Sequence, residues 1–600
     1  MPQGPVKHRR AMLRFIGGAS SPALGLTSSL ITPFKPQLKP VVLPVGFEPL
    51  TATSEEQLEA ALTRLDGKKA EWASLGMPQR AALLRKCIPT TVQVSREAAQ
   101  GRVDSGGSYG SGLAEDWWPW MPVTSELREL AETLEAGGET QPHAVITRPD
   151  GQLVLDVFPT GLEPVMFGGW RGEVWIQPGK PATQAAAYRR KAAGEGQDGS
   201  IGLVLGAGNH AAVVALDILH KLIVDDCVVI TKMNPVNEWA GPIIKKAFKP
   251  IVDAGYLEVV YGGAKQGQFL CKHPKVASIH LTGSTDTFDA IVWGPGNKAK
   301  TGKPTSKEVT GELSCVTPYI ITPGNWSESD LAYHAEVVVA GLVQNNGHNC
   351  LKAEVVITAK DWPQREAFLE ALRKRLDAEP QRVPYYPGSD KRFAAFRTEF
   401  PDVQELGQAV PEGSGRQQPY LLRTGLSPDQ ANTTRENWCG CLQEVCLPGT
   451  GADPAAFLEK AVAFANDKCW GTLSCSLLVP AHVASEHPEA FDKAVAQLRY
   501  GSVCVNAPSL VGFCITKLTW GGFPGTTLKD IGSGNVAVHN SLMYDHVQKS
   551  VLYAPWRMNP MPFWSSKHRN AERLCEAAIR FSASPNLLTL APAAVAALRG

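Results

Sequence analysis

Ile201-Gly-Leu-Val-Leu205 runs straight into Gly206-Ala-Gly-Asn-His-Ala211, so a β-branched apolar stretch meets a glycine turn that opens an apolar helical segment, Ala211 to Val224. The same alternation repeats downstream. Cys227-Val-Val-Ile230 reads as a strand and Asn237 to Val252 as a helix. Leu257-Glu-Val-Val260 and Ser278-Ile-His-Leu281 are further strands. Strands alternating with helical periods predict a parallel sheet covered on both faces. A second α/β stretch extends from Val316 to about Asn506, with strands at Tyr319–Thr322 and Val355–Thr358. Its helix at Asp453-Pro454 opens with a capping carboxylate and a first-turn proline, and carries Phe457, Ala461 and Phe464 on one face.

Outside these blocks, Glu55 to Leu84 reads as helices with Leu58, Leu62 and Leu65 on one face. Gly101 to Gly112 reads as a Gly/Ser loop, and Trp117, Trp118 and Trp120 as a packing cluster. Val145 to Phe158 alternates around Pro149-Asp-Gly151, which is hairpin chemistry. Gln184 to Ser200 is expected as an exposed helix or linker. Beyond Tyr553 the chain gives a Pro/Trp stretch and a short basic amphipathic helix (Leu574, Ala578, Phe581), expected as a poorly constrained appendix.

The 600 residues carry 59 Lys+Arg against 58 Asp+Glu, a balance with no net drive toward nucleic acid or an anionic membrane. No run nears the ~18 apolar residues of a membrane span. Thirteen scattered cysteines, without C-x-x-C pairs or His at metal-ligand spacing, argue against a disulfide scaffold or a structural zinc and for a reducing compartment. The first acid is Glu48, preceded by Lys7, Arg9, Arg10, Arg14, Lys35 and Lys39 and a Ser/Thr-rich run. Such a start fits either an organelle transit peptide, plastid or mitochondrial, or a disordered arm of a cytoplasmic protein.

Gly206-Ala-Gly208 also fits the dinucleotide fingerprint, but that motif expects an acid at the end of the second strand, where Lys232 stands. Asn209 can be a helix cap or an amide donor to a developing oxyanion. Three segments separate these readings: His280-Leu-Thr-Gly-Ser-Thr285, Val309-Thr-Gly-Glu-Leu313 and Asn345-Asn-Gly-His-Asn-Cys350. With Gln443-Glu-Val445, Ala465-Asn-Asp467, Gly501 to Asn506 and Trp520-Gly-Gly-Phe523, their order and spacing resemble the aldehyde dehydrogenase superfamily over residues 50 to 550.

The resemblance implies an α/β, two-lobed fold: a Rossmann-like parallel-sheet cofactor domain, an α/β catalytic domain and a small bridging β element. The corresponding boundaries are a basic extension at 1–47, an NAD(P)-binding domain at 48–311 that includes a bridging hairpin at about 143–178, a catalytic domain at 312–506, a return to the cofactor and bridging region at 507–554, and an appendix at 555–600. It implies Cys350 as nucleophile, Asn209 as oxyanion donor with the Cys350 backbone N–H, and Glu312 as the base that activates water. Lys232 would hold the adenosine ribose, Gly283 and Ser284 would flank the pyrophosphate, and Glu444 would bind the nicotinamide ribose of NAD or NADP. A homodimer or homotetramer is implied by resemblance only. A thiol suits the nucleophile because it is soft and reactive near neutral pH, more so where its pKa is lowered.

Several positions depart from the family pattern. Ala207-Gly208 replaces Pro-Trp, Ser314-Cys315 replaces Gly-Gly, Cys446 replaces the Phe two residues after the ribose carboxylate, and Pro235 replaces an acid that favours NAD, which makes NADP admissible. The leading expectation is NAD(P)-dependent oxidation of an aldehyde to a carboxylic acid. The alternatives are a CoA-acylating relative, which needs no water-activating Glu312, and a catalytically silent binding protein on the same fold.

Overall fold

The computed structural model describes residues 39–600 apart from 197, 298 and 411–416. The targeting segment expected at the N-terminus therefore lies, up to residue 38, outside the described residues. Within the remainder of that extension, Lys39–Val42 forms a strand paired antiparallel with Ser108–Gly110.

Two sheets organise the molecule. The first is five-stranded and wholly parallel, in the spatial order 308–313, 276–283, 201–205, 228–232, 257–260. Its central strands are buried along their whole length, so they read as continuous apolar runs rather than alternating ones. The chain moves outward from strand 201–205 through 228–232 to 257–260, then crosses to the opposite side at 276–283. That reversal leaves a crevice at the carboxyl ends of the strands, where ligands bind in open α/β sheets.

The second sheet has eleven strands. From 420–426 through 441–447, 353–359, 317–321, 474–478 and 502–505 to 547–553 all neighbours are parallel. Strands 171–176, 153–158 and 144–147 then extend it antiparallel. The hairpin sits by sequence inside the segment assigned to the cofactor domain, yet its hydrogen bonds go to the large sheet through strand 547–553. It is an annex of the second sheet.

Four local expectations differ from the structure. Gly101 to Gly112 is not one loop: the helix Met77–Gly106 takes its first half and the strand Ser108–Gly110 follows, and a Cβ at Gly101 would lie 2.6 Å from the Trp239 ring. The glycine there admits an indole against the helix rather than making a turn. Asn237 to Val252 is broken into a 3-10 turn at 238–240 and helices at Gly241–Ala247 and Lys249–Asp253, each helix with a proline in its first turn, where the missing N–H costs least. The helix Ala211–Leu219 widens into a π turn over His220–Val224. Finally, the C-terminal appendix is well anchored. Its helices Ala571–Ala583 and Leu587–Leu598 follow a stretch in which Ser565 and Ser566 donate to Glu336 and Glu379, each at 2.6 Å. Arg128 Nε donates to the Ser582 carbonyl at 2.7 Å. Trp117, Trp118 and Trp120 are buried; Trp118 meets Phe563 edge-on and Trp117 Nε1 donates to Ser95 at 2.9 Å.

Candidate active site

Five of the expected residues lie at the carboxyl ends of parallel strands around the crevice: Asn209 after strand 201–205, Lys232 ending 228–232, Gly283 ending 276–283 with Ser284 after it, and Glu312 near the end of 308–313. Cys350 arrives from the other sheet, on a tight loop between the helix Glu328–Val343 and strand Ala353–Ala359. That loop is held by three consecutive left-handed residues, Asn345, Asn346 and Gly347 (φ 51°, 56° and 73°). Asparagine tolerates this region better than other side chains. Gly347 is required, since a Cβ there would meet the Cys439 carbonyl at 3.0 Å.

Asn345 ties the loop down. It accepts from Arg102 at 2.6 Å and Tyr385 at 2.9 Å, and its amide donates to the His348 carbonyl at 3.0 Å. Asn209 Nδ2 donates to the same His348 carbonyl at 3.0 Å, which places this amide on the loop two residues before the thiol. Glu312 is 2 % exposed and hydrogen-bonded to the Cys350 thiol; Trp520 Nε1 donates to its carboxylate at 3.2 Å. Among the thirteen cysteines only Cys350 and Cys271 are not fully buried.

Both groups are shifted toward their protonated forms. Burial and then the Asp217 charge push Glu312 up to about 8. Burial, Glu312 and Glu436 push the Cys350 thiol well above its usual range. A resting thiolate is thus not what the fold stabilises; the thiol sits beside a carboxyl group able to take its proton.

Lys232 is nearly buried, donating at 3.0 Å to the carbonyls of Met233 and Gly262, and burial lowers it to about 8. Ser284 caps the helix Thr285–Trp293, accepting from the Thr287 N–H. Gly208 does not cradle a phosphate, because a Cβ there would lie 2.8 Å from the Tyr386 hydroxyl and 3.0 Å from the Asn234 amide.

Glu444 is not brought to this site. It lies within strand Cys441–Leu447, wholly buried, and Arg365 donates to both its oxygens at 2.9 and 2.7 Å. Gly425 N and the Thr358 hydroxyl also donate to it. No oxygen is left for a ribose. The carboxylate beside the thiol is Glu436, which hydrogen-bonds Ser314 and keeps a buried oxygen, Oε1, without a partner. Burial and the neighbouring Glu354 hold it well above the usual carboxylate range. The sequence held a signal for it: Trp438 supplies the aromatic two residues after the acid that Cys446 fails to supply after Glu444. Asp217 was missed as well, although a single carboxylate in the otherwise apolar helix Ala-Ala-Val-Val-Ala-Leu-Asp-Ile-Leu219 is a visible anomaly.

Comparison with known proteins points to one family. The profile of the Aldehyde dehydrogenase family matches residues 203–387, which contain Asn209, Glu312 and Cys350. The matched stretch supports a member of the aldehyde dehydrogenase superfamily, and the low identities to its relatives are consistent with divergence. The chain is 22 % identical to the D-glyceraldehyde dehydrogenase (NADP(+)) of Picrophilus torridus over 308 residues, 50 % of this chain and 58 % of that protein. With the 4-trimethylaminobutyraldehyde dehydrogenase of Oryzias latipes it shares 28 % over 261 residues, 41 % of this chain and 48 % of that one. The chain thus spans about half the length of the curated relatives it matches. The aldehyde dehydrogenase fold covers far more of it. The succinic semialdehyde dehydrogenase of Streptococcus pyogenes, solved in complex with NADP+, superposes with a TM-score of 0.59 at 13 % identity over 85 % of this chain and 97 % of that one. The salicylaldehyde dehydrogenase of Pseudomonas putida G7 gives 0.58 at 13 %, over 87 % and 99 %. Among the described residues no helix is long and apolar enough to cross a membrane, and no cluster of three or more His, Cys, Asp or Glu could hold a metal ion.

Proposed function

We propose that the protein oxidises an aldehyde to the carboxylic acid, using NAD or NADP, with Cys350 as the nucleophile. The observation that carries this reading is the hydrogen bond between the half-buried Cys350 thiol and Glu312, across the junction of the two sheets. Glu312 takes the thiol proton as sulfur adds to the aldehyde carbon. The oxyanion of the resulting thiohemiacetal is held by the Asn209 amide with the Cys350 N–H, a kind of donor worth roughly 3–4 kcal/mol. Bound NAD(P) supplies the hydride acceptor, and a thioester remains on Cys350. Glu312 gives that proton up to solvent and then removes one from water, whose oxygen attacks the thioester carbon; the carbon–sulfur bond breaks and the departing sulfur takes the proton back from Glu312, which regenerates the thiol.

The crevice has the groups to hold such a cofactor. Lys232 at its strand end donates to carbonyls and has a proline at position 235 in place of an acid, which makes a 2′-phosphate admissible, while Glu238 is the carboxylate whose charge reaches Lys232. The unpartnered Glu436 Oε1 is an acceptor for a sugar hydroxyl next to the thiol, the role that Glu444 cannot fill. Gly283 and Ser284 open the helix Thr285–Trp293, whose N-terminus favours an anion. Names of the relatives support both cofactors: one carries NADP(+) in its name, one structure contains NADP+ and another contains nicotinamide adenine dinucleotide.

A panel of aldehydes assayed with NAD and NADP, each with and without CoA, tests the proposal. The expected result is NAD(P)H and free acid without CoA. Turnover that requires CoA would instead favour the acyl-transferring alternative, in which Glu312 has no water to activate.

A further inference from the structure

Beneath the base lies a buried polar stripe that the reaction scheme does not use. Glu312 and Thr282 are cross-strand partners in the parallel sheet, so their side chains share a face; Thr310 and His280 are the next such pair on that face. His280 Nδ1 lies 3.0 Å from the Thr310 hydroxyl. Thr282 donates to Asp217 at 2.7 Å from the helix packed over this face. Asp217, with no exposure, is also approached by His280 Nε2 at 3.4 Å and His539 Nε2 at 3.5 Å. Phe513 joins the other side, packing edge-on against both His539 and Trp520, the donor to Glu312. One turn along the helix His220, Lys221 and Asp225 complete the ionisable groups, and Lys221 pairs with Asp225 at 2.7 Å.

A carboxylate inside an apolar helix costs several kcal/mol unless it is bonded, and packing gives no reason for it. Here the two imidazoles hold Asp217 firmly ionised. We propose that Asp217 is a positioning residue for Glu312: its fixed negative charge, clamped by Thr282, His280 and His539, makes the base hold the proton it receives from thiol or water. A fixed like charge nearby favours the neutral form of an acid, and Asp217, bonded to the cross-strand partner of Glu312, is the charge that acts on it in that direction. The inference rests on Glu312 as the base proposed above.

The test is the pH profile of the slow, thioester-hydrolysing phase after a single NAD(P)H burst. In the native enzyme this phase should rise with pH through about 8. In Asp217→Asn, which keeps shape and bonding but removes the charge, the rise should move down by about one pH unit. Asp217→Glu should return it toward the native position, which a merely structural role would not do. If Asp217→Asn fails to fold, Asp217→Ser, able to keep the bond to Thr282, must show the same downward shift. An unmoved profile in a folded charge-free variant overturns the inference. Glu312→Gln separates the two claims: loss of the pH-dependent rise there with no shift at Asp217 refutes only this inference, whereas a rise that persists in Glu312→Gln refutes the base itself.

Discussion

Glu312 and Glu444 are both buried glutamates on parallel strands, 2 % and 0 % exposed, and they are built for opposite ends. Glu444 is answered on every side, by the Arg365 guanidinium, a backbone N–H and a hydroxyl. Glu312 receives one indole N–H and a thiol, and its environment favours the proton. Burial alone therefore says little about chemistry. What separates a structural carboxylate from a reactive one is whether cationic and amide donors have already satisfied its charge. Glu436 falls on the reactive side, with one oxygen still unpartnered beside the thiol.

The contrast can be broken or sharpened by substitution. The largest effect is expected from the thiol that Glu312 serves: Cys350→Ala should lower aldehyde-dependent NAD(P)H formation on the order of 10⁴-fold or more, while cofactor binding, followed by fluorescence, persists. Glu312→Gln should slow thioester hydrolysis by about 10²–10⁴-fold and slow the NAD(P)H burst less, because the thiol can also lose its proton to solvent; stopped flow reads both, and equal loss in both phases would count against a base. Glu444→Ala leaves Arg365 without its buried counter-charge and should cost about 3–5 kcal/mol in urea unfolding. If its folded fraction also shows an altered cofactor KM, the contrast with Glu436 collapses. The smallest change belongs to Glu436→Gln, with a cofactor KM raised about tenfold and stability altered by about 1 kcal/mol or less.

Much of this was legible in the chain. The alternation from Ile201 to Gly294 predicts the parallel sheet because its central strands are buried on both faces and the segments between them are apolar on the side that covers it. Cys350, Glu312 and Asn209 were legible because each stands at a junction between elements, where motif spacing survives divergence. Glu444 misled for a physical reason. Along the strand it occupies, a short Gln-Glu-Val string reads the same whether its carboxylate faces a ligand or an arginine 79 residues away, and only the fold brings Arg365 to it. The anchored C-terminal helices were illegible for a similar reason, since their partners, Glu336, Glu379 and Arg128, are remote in sequence. Gly101 shows the converse: a glycine that suggests a loop serves instead to admit Trp239 against a helix.

The central claim is covalent, and it can be read directly. Glu312→Gln enzyme mixed with aldehyde and NAD(P), quenched in acid and digested, should show by mass spectrometry the acyl group on the peptide that contains Cys350, in amount equal to the NAD(P)H burst. A burst without an adduct on that peptide, or with the acyl group on another cysteine, would contradict the account.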